Sequence, residues 1–268
     1  MSRIADRFAA LRQQGRKALI PYITAGDPGP AVTVPLMHAM VKAGADILEL
    51  GVPFSDPMAE GPVIQRAMER ALEHHVSLSD VMQMVATFRQ QDNETPVLLM
   101  GYLNPVEVMG YAKFATMAAE SGVDGVLLVD IPPEEAEDLL AVLKAQQLDM
   151  VFLVSPTTDD QRIQRIAAAG SGFIYYVSLK GVTGAGHLDT AEVEDRVSRI
   201  KRFSDLPVAV GFGIKDAESA ARVAKTADAV VVGSALVKKV EEKNGAADKL
   251  ETAISALLQE IRHGIDAV

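Results

Sequence analysis

Three carboxylates crowd one short segment, ILELGVPFSDPMAEGP (47–62): Glu49 inside an apolar run, then Asp56 and Glu60 in the loop behind it. Alternation from Ile47 puts Ile47 and Glu49 on one face of an extended run, with Leu48 and Leu50 on the other. Carboxylates are almost never fully buried without a partner. One reading of Glu49 is therefore a glutamate paired with a core Lys or Arg. The other is a general acid/base whose pKa rises through desolvation, which suits proton transfer near neutral pH. Either Asp56 or Glu60 can supply a second carboxylate beside it, the plain alternative for both being a solvated loop acid.

Glycine-rich turns late in the chain offer a different chemistry. SLKGVTGAG (178–186), GFGIKD (211–216) and GSALVKK (233–239) each follow an apolar run. Gly184, Gly211, Gly213 and Gly233 let backbone amides approach an anion, and Ser234 opens a helix whose first N–H groups face outward. Ordinary tight turns would use the same residues. Tyr22, Met100, Tyr102, Leu127, Val129, Leu153, Tyr175 and Phe212 sit on or at the ends of apolar runs. Some of these must be plain core. Together they suit a flat, partly aromatic ligand beside a phosphate, with Asn104-Pro105 and Asp130 as polar rim groups.

These groups need a scaffold, and the sequence repeats one. Apolar runs rich in β-branched residues recur at 18–24, 46–51, 96–102, 123–130, 149–155, 173–178, 207–213 and 228–233. They are almost wholly apolar rather than alternating, as in parallel strands covered on both faces. Helical spacing marks 31–44 and 107–122, both ending in glycine, and 134–145 and 216–227 behind Pro-Pro and Lys-Asp openings. Further helices are expected at the N-terminus and across 62–91. Eight units in strict alternation leave a doubly wound sheet or a closed barrel. No GxGxxG follows the first run, and about 250 residues is the usual size of a (β/α)8 barrel. The expectation is a single (β/α)8-barrel domain over residues 1–268, with its site at the C-terminal strand ends.

Composition narrows the chemistry. The 268 residues are 49% hydrophobic and 23% charged, with a net charge of −10, which argues against a nucleic-acid surface. With no cysteine, disulfides, thiolate metal sites and cysteine nucleophiles are excluded. His38, His74, His75, His187 and His263 show no ligand spacing and are read as surface groups. No metal is expected. No run approaches about 18 uninterrupted apolar residues, and the charged N-terminus has no signal-type block, so the cytoplasm is the expected compartment.

The stretches PYITAGDP (21–28), ELGVPFSDPMAEGPVIQ (49–65), GYLNP (101–105), GVDGVLLVDIPPEE (122–135), VSPTT (154–158), YYVSLKGVTGA (175–185), VGFGI (210–214) and VVGSALV (231–237) together resemble the tryptophan synthase alpha subunit family across the chain. The resemblance implies a retro-aldol lyase cleaving indole-3-glycerol phosphate to indole and glyceraldehyde 3-phosphate. It implies Glu49 as acid/base group, the carboxylate at 60 facing the indole nitrogen, and Tyr175 and Thr183 lining or closing the site. It implies that Gly184, Gly213, Gly233 and Ser234 bind the phosphate; of the pocket residues read from the apolar runs, Tyr22, Met100, Leu127, Val129, Leu153 and Phe212 are the expected substrate contacts. It implies an α2β2 complex passing indole to a pyridoxal-phosphate-dependent beta subunit, with Asp56, Pro57, Asn104 and Pro105 facing that partner and no cofactor in this chain. The family usually has aspartate where this chain has Glu60, which favours a competing reading, a non-catalytic subunit that only binds and activates the beta partner. A lyase acting alone and a phosphosugar isomerase compete as well; the apolar pocket argues against the isomerase.

Overall fold

The computed structural model describes residues 2–177, 190–211, 213–242 and 247–268. Each apolar run holds a strand: β1 (Ala18–Thr24), β2 (Leu48–Gly51), β3 (Val97–Gly101), β4 (Gly125–Leu128), β5 (Asp149–Met150), β6 (Phe152–Val154), β7 (Ile174–Val177), β8 (Val208–Gly211) and β9 (Ala229–Val232). All pair in parallel, in the order β5-β4-β3-β2-β1-β9-β8-β7-β6. The two ends of that order are one run interrupted at Val151, whose N–H still donates to the Val126 carbonyl at 2.9 Å. The ring is therefore a nearly closed eight-stranded barrel, with its fifth strand in two pieces where one was expected.

The helices are α1 (Arg3–Gln13), α2 (Pro30–Lys42), α3 (Pro62–Glu73), α4 (Leu78–Arg89), α5 (Leu103–Met109), α6 (Tyr111–Glu120), α7 (Glu137–Ala145), α8 (Asp160–Ala169), α9 (Thr190–Lys201), α10 (Ala217–Ala224), α11 (Ser234–Glu242) and α12 (Ala247–Asp266). Local chemistry sets their starts. Pro30 and Pro62 stand at the first helical positions, where a missing N–H costs nothing. Ser77 and Asp80 form a capping box on α4, as Asp216 and Ser219 do on α10. The expected helix over 107–122 is in fact two, α5 and α6, because Gly110 at φ 85° breaks the run. The stretch 62–91 likewise divides into α3 and α4.

Strand alternation sorts the core into two layers. Leu48 and Leu50 face outward into the layer shared with the helices, while Ile47 points inward with Leu98, Leu127, Val151, Phe173, Ala209 and Val231. Ile4, Phe8 and Leu11 of α1 close the N-terminal end of this interior, Phe8 lying 5.8 Å from Phe173 between ring centroids. Burying side chains of this size is worth about 1.5–3 kcal/mol each. Helix α1 thus covers the bottom of the interior, and the C-terminal strand ends form the mouth.

Buried ions mark the bottom as structural. Asp46 accepts the Leu19 N–H at 2.9 Å and pairs with Arg262 at 3.0 Å. Asp124 accepts the Val97 N–H at 2.8 Å and pairs with Arg89 at 2.7 Å. His38 departs from the surface role expected of it: its Nε2 is buried, and its ring lies 4.7 Å from that of Phe88.

Candidate active site at the barrel mouth

Glu49 is the acid that the bottom-layer pattern does not explain. Its neighbours in the ladder are Tyr22 on β1 and Leu98 on β3. It is 1% exposed, and its Oε1 has no hydrogen-bond partner among the described residues. Among the described residues no Lys or Arg pairs with it. Burial first, and then the negative charge of Glu60, push its carboxyl up to about 8. It therefore carries its proton at neutral pH, as a general acid requires.

Glu60, not Asp56, is the second carboxylate of the mouth. It is half-buried, and loss of hydration pushes it up to about 7. Burial first, and then the charge of Glu60 among smaller causes, raise the pKa values of Tyr22, Tyr102 and Tyr175, so these hydroxyls lie within electrostatic reach of Glu60. Asp56 is exposed and accepts from the Ser55 hydroxyl at 2.6 Å.

The loop carrying Glu60 is held from two sides. Tyr102 stacks on Phe54 at 4.9 Å, and its hydroxyl accepts the Ala59 N–H at 3.0 Å. Gln65 on α3 donates to the Glu60 carbonyl at 2.8 Å. The sequence marked Tyr102 only as pocket wall; its anchoring of residue 59 depends on two loops meeting in space, which no local pattern signals.

Two tyrosines explain two glycines. A Cβ on Gly51 would lie 2.1 Å from the Tyr22 hydroxyl, and a Cβ on Gly211 would lie 2.2 Å from that of Tyr175. Each tyrosine thus crosses to the next strand and occupies the side-chain space there. Gly211, read from sequence as an anion contact, is bare because Tyr175 fills its place. Tyr22 also shares a 3.1 Å hydrogen bond with the Thr24 hydroxyl.

The remaining pocket residues fall into two tiers. Leu127 is fully buried in the interior layer, whereas Met100, Val129, Leu153 and Tyr175 are partly buried and pack on top of it. Those four form a collar at the mouth, and Leu127 is its floor. Gly213 has φ 62°, a left-handed backbone that favours glycine. Gly233 is different: a Cβ there would meet Tyr22 no closer than 3.6 Å, so protein packing does not demand a bare position. Its carbonyl accepts the N–H groups of Leu236 and Val237 at 2.9 and 3.1 Å. The amides of Ser234 and Ala235, in the first turn of α11, have no helical carbonyl to reach and suit an anion. Thr183, Gly184 and Phe212 lie outside the described residues.

The rim is fixed by Asp130, whose carboxylate accepts the Leu103 N–H at 2.8 Å. Asn104 and Pro105 fall in the first turn of α5 rather than in a loop, Asn104 exposed and Pro105 half-buried. The Phe54–Tyr102 stack brings this turn against the segment holding Asp56 and half-buried Pro57. Met58 and Val108 flank the junction at 80% and 82% exposure, large apolar side chains left in water. Among the described residues, no cluster of metal-ligating side chains occurs, and no helix is long and apolar enough to cross a membrane.

Comparison with known proteins identifies the family and matches the fold. A model of the family "Tryptophan synthase alpha chain" matches residues 8–266. The chain is 64% identical over 267 residues to the tryptophan synthase alpha chain of Nitrosococcus oceani, covering 100% of this chain and 98% of that one. It is 63% identical over 266 residues to that of Thioalkalivibrio sulfidiphilus, covering 99% and 100%. The crystal structure of tryptophan synthase subunit alpha from Legionella pneumophila superposes with a TM-score of 0.94 at 50% identity, covering 100% of both chains.

Proposed function

The chain belongs to the tryptophan synthase alpha chain family, and on that premise we propose which of its residues carry the family's reaction. It is a carbon–carbon lyase of tryptophan biosynthesis that cleaves indole-3-glycerol phosphate to indole and glyceraldehyde 3-phosphate. It pairs with a beta subunit, which holds the pyridoxal phosphate; the alpha chain needs no cofactor.

Our reading assigns the proton traffic to Glu49. Its carboxyl delivers a proton to indole C3, and the positive charge that develops rests on the ring nitrogen, opposite the Glu60 carboxylate. Loss of the proton from the glycerol hydroxyl beside the ring then forms the aldehyde and breaks the C–C bond. The bonding electron pair returns to the ring, and the hydroxyl proton returns to Glu49. The cycle closes with no net proton change. Tyr175 lines the ring pocket, along with Tyr22, Met100, Leu127, Val129 and Leu153. The amides at Gly213, Gly233 and Ser234 take the phosphate. Phe212 as a lining group, Thr183 as a lining or closing group and Gly184 at the phosphate are assigned from the sequence alone.

The observation that supports this assignment best is the buried Glu49 at the mouth, its Oε1 without a partner among the described residues and its carboxyl raised to about 8, with a second raised carboxyl at 60. The test is steady-state cleavage of indole-3-glycerol phosphate by Glu49→Gln and Glu60→Ala. Each is expected to lose about 100-fold or more, the low end of what a positioned acid–base group contributes. Activity of Glu60→Ala within a few-fold of the parent would remove Glu60 from the mechanism. The further expectations are one barrel domain over residues 1–268, a cytoplasmic α2β2 assembly, and Asp56, Pro57, Asn104 and Pro105 at the beta interface.

A further inference from the structure

Two forked ion pairs join the elements that carry opposite ends of the mouth. Helix α3 begins two residues after Glu60 and grips that residue through Gln65. Helix α11 begins at Ser234, where the anion-binding amides lie. Near the mouth the contact between them is apolar, Val63, Ile64 and Ala67 grouping with Val237 and Tyr22. Farther back it is ionic. Arg66 donates through Nε and Nη2 to the two carboxylate oxygens of Glu241, at 2.6 and 3.0 Å. Arg70, one turn on, donates to both oxygens of Asp27 at 2.7 and 2.9 Å, and its Nη1 reaches Glu241 at 3.4 Å. Asp27 is buried in the turn that follows β1, the strand of Tyr22.

Single exposed ion pairs contribute little, but bidentate guanidinium–carboxylate pairs linked in a network fix geometry as well as charge. Glu241 stands at the C-terminal end of α11, where the helix dipole disfavours an anion. Two arginines face it there, and hydrogen bonding from Arg66 holds its carboxyl below the ordinary range.

We propose that the Arg66–Glu241–Arg70–Asp27 clamp is a spacing device for the substrate: it sets the separation between the Glu60 carboxylate and the phosphate-holding amides at Ser234. These four are positioning residues, and the inference rests on the proposed roles of Glu60 and Ser234. A ligand that spans both ends registers any slip of α11 against α3. A ligand lacking the phosphate touches only one end and does not.

The experiment compares cleavage of indole-3-glycerol phosphate with cleavage of its dephosphorylated analogue, indole-3-glycerol, by the full-length chain, with thermal melts in parallel. Glu241→Gln and Arg66→Gln are expected to lower kcat/KM about tenfold on the phosphorylated substrate, a sub-ångström misplacement on the usual scale. On the dephosphorylated substrate both should stay within about twofold of the parent. Arg66→Lys, which keeps the charge but not the fork, should fall between. Equal losses on both substrates, or no loss on either, would overturn the clamp as a spacing device. A parent enzyme with no preference for the phosphorylated substrate would remove the anchor at Ser234, and the proposal with it. That failure is separable, because it appears before any substitution is made.

Discussion

Replacing Glu49 by glutamine should lower lyase activity about 100-fold or more and at the same time change how stability depends on pH. The folded chain keeps the Glu49 proton to about pH 8, whereas an unfolded glutamate loses it near 4.5. Between those values the native state binds one more proton than the unfolded state. Stability is therefore fullest at low pH and falls as pH rises, by about 1.4 kcal/mol per unit. From pH 5 to pH 8 that amounts to about 4 kcal/mol, and with Glu49 only 1% exposed it needs little discount for solvent screening. Glutamine cannot ionise. Its buried amide adds an unsatisfied-group cost of about 1–3 kcal/mol, but that cost does not vary with pH. Glu60 contributes a slope of the same sign to both proteins, which largely cancels in the comparison. Urea unfolding of the isolated chain at pH 5, 6, 7 and 8 measures both curves. The parent should lose about 4 kcal/mol more than Glu49→Gln across that range. Curves that stay parallel to within about 1 kcal/mol would mean that Glu49 ionises normally in the fold, and the general-acid argument would fail with it.

The carboxyl pair should give a bell-shaped pH profile of kcat/KM, with apparent limbs near 7 and 8 that belong to the pair jointly, and Glu60→Gln should remove the acid limb while keeping the alkaline one. Gly51→Ala should cost about 1–3 kcal/mol in urea unfolding because its Cβ meets the Tyr22 hydroxyl at 2.1 Å, and Tyr22→Leu in the same chain should recover most of that stability. Arg89→Leu should destabilise the chain by about 3–5 kcal/mol, since among the described residues it leaves the buried Asp124 carboxylate with the half-exposed Arg3 as its one cationic partner beside the Val97 N–H. Val108→Glu should weaken association with the beta chain at least about tenfold by titration, leaving the isolated lyase rate unchanged.

What could be read in advance followed the period of the chain. Parallel strands covered on both faces produce apolar runs of fixed length, so all eight were visible, and inward alternation carried Glu49 to the mouth without any structure. What stayed hidden depends on ring closure. Tyr175 fills the space at Gly211, and Arg66 reaches Glu241 across 175 positions, only because distant strands and helices become neighbours. A glycine whose side-chain space a tyrosine fills and one proposed to face a phosphate look alike in sequence. The Cβ contacts separate them: 2.2 Å at Gly211 against 3.6 Å at Gly233. Likewise the break at Val151 and the division of α5 from α6 lie within runs whose periodicity is uninterrupted.

Glu60 is where sequence and structure pull hardest against each other. A side chain about 1.5 Å longer than the usual aspartate would be expected to overshoot the ring nitrogen, and a misplacement of about 1 Å can cost about 100-fold. Two features argue that the chain accommodates it. The backbone at 59 and 60 is pinned, by the Tyr102 hydroxyl on one side and Gln65 on the other, so the loop cannot carry the carboxyl freely. The carboxyl itself is withdrawn from water: burial raises it to about 7, and its charge is felt by Tyr22, Tyr102, Tyr175 and Glu49 together. A glutamate released by the loop would turn to solvent and lose both signatures. The extra methylene is thus taken up on the barrel side of the loop, within electrostatic reach of Glu49, Tyr22, Tyr102 and Tyr175, which fits the role we propose for Glu60.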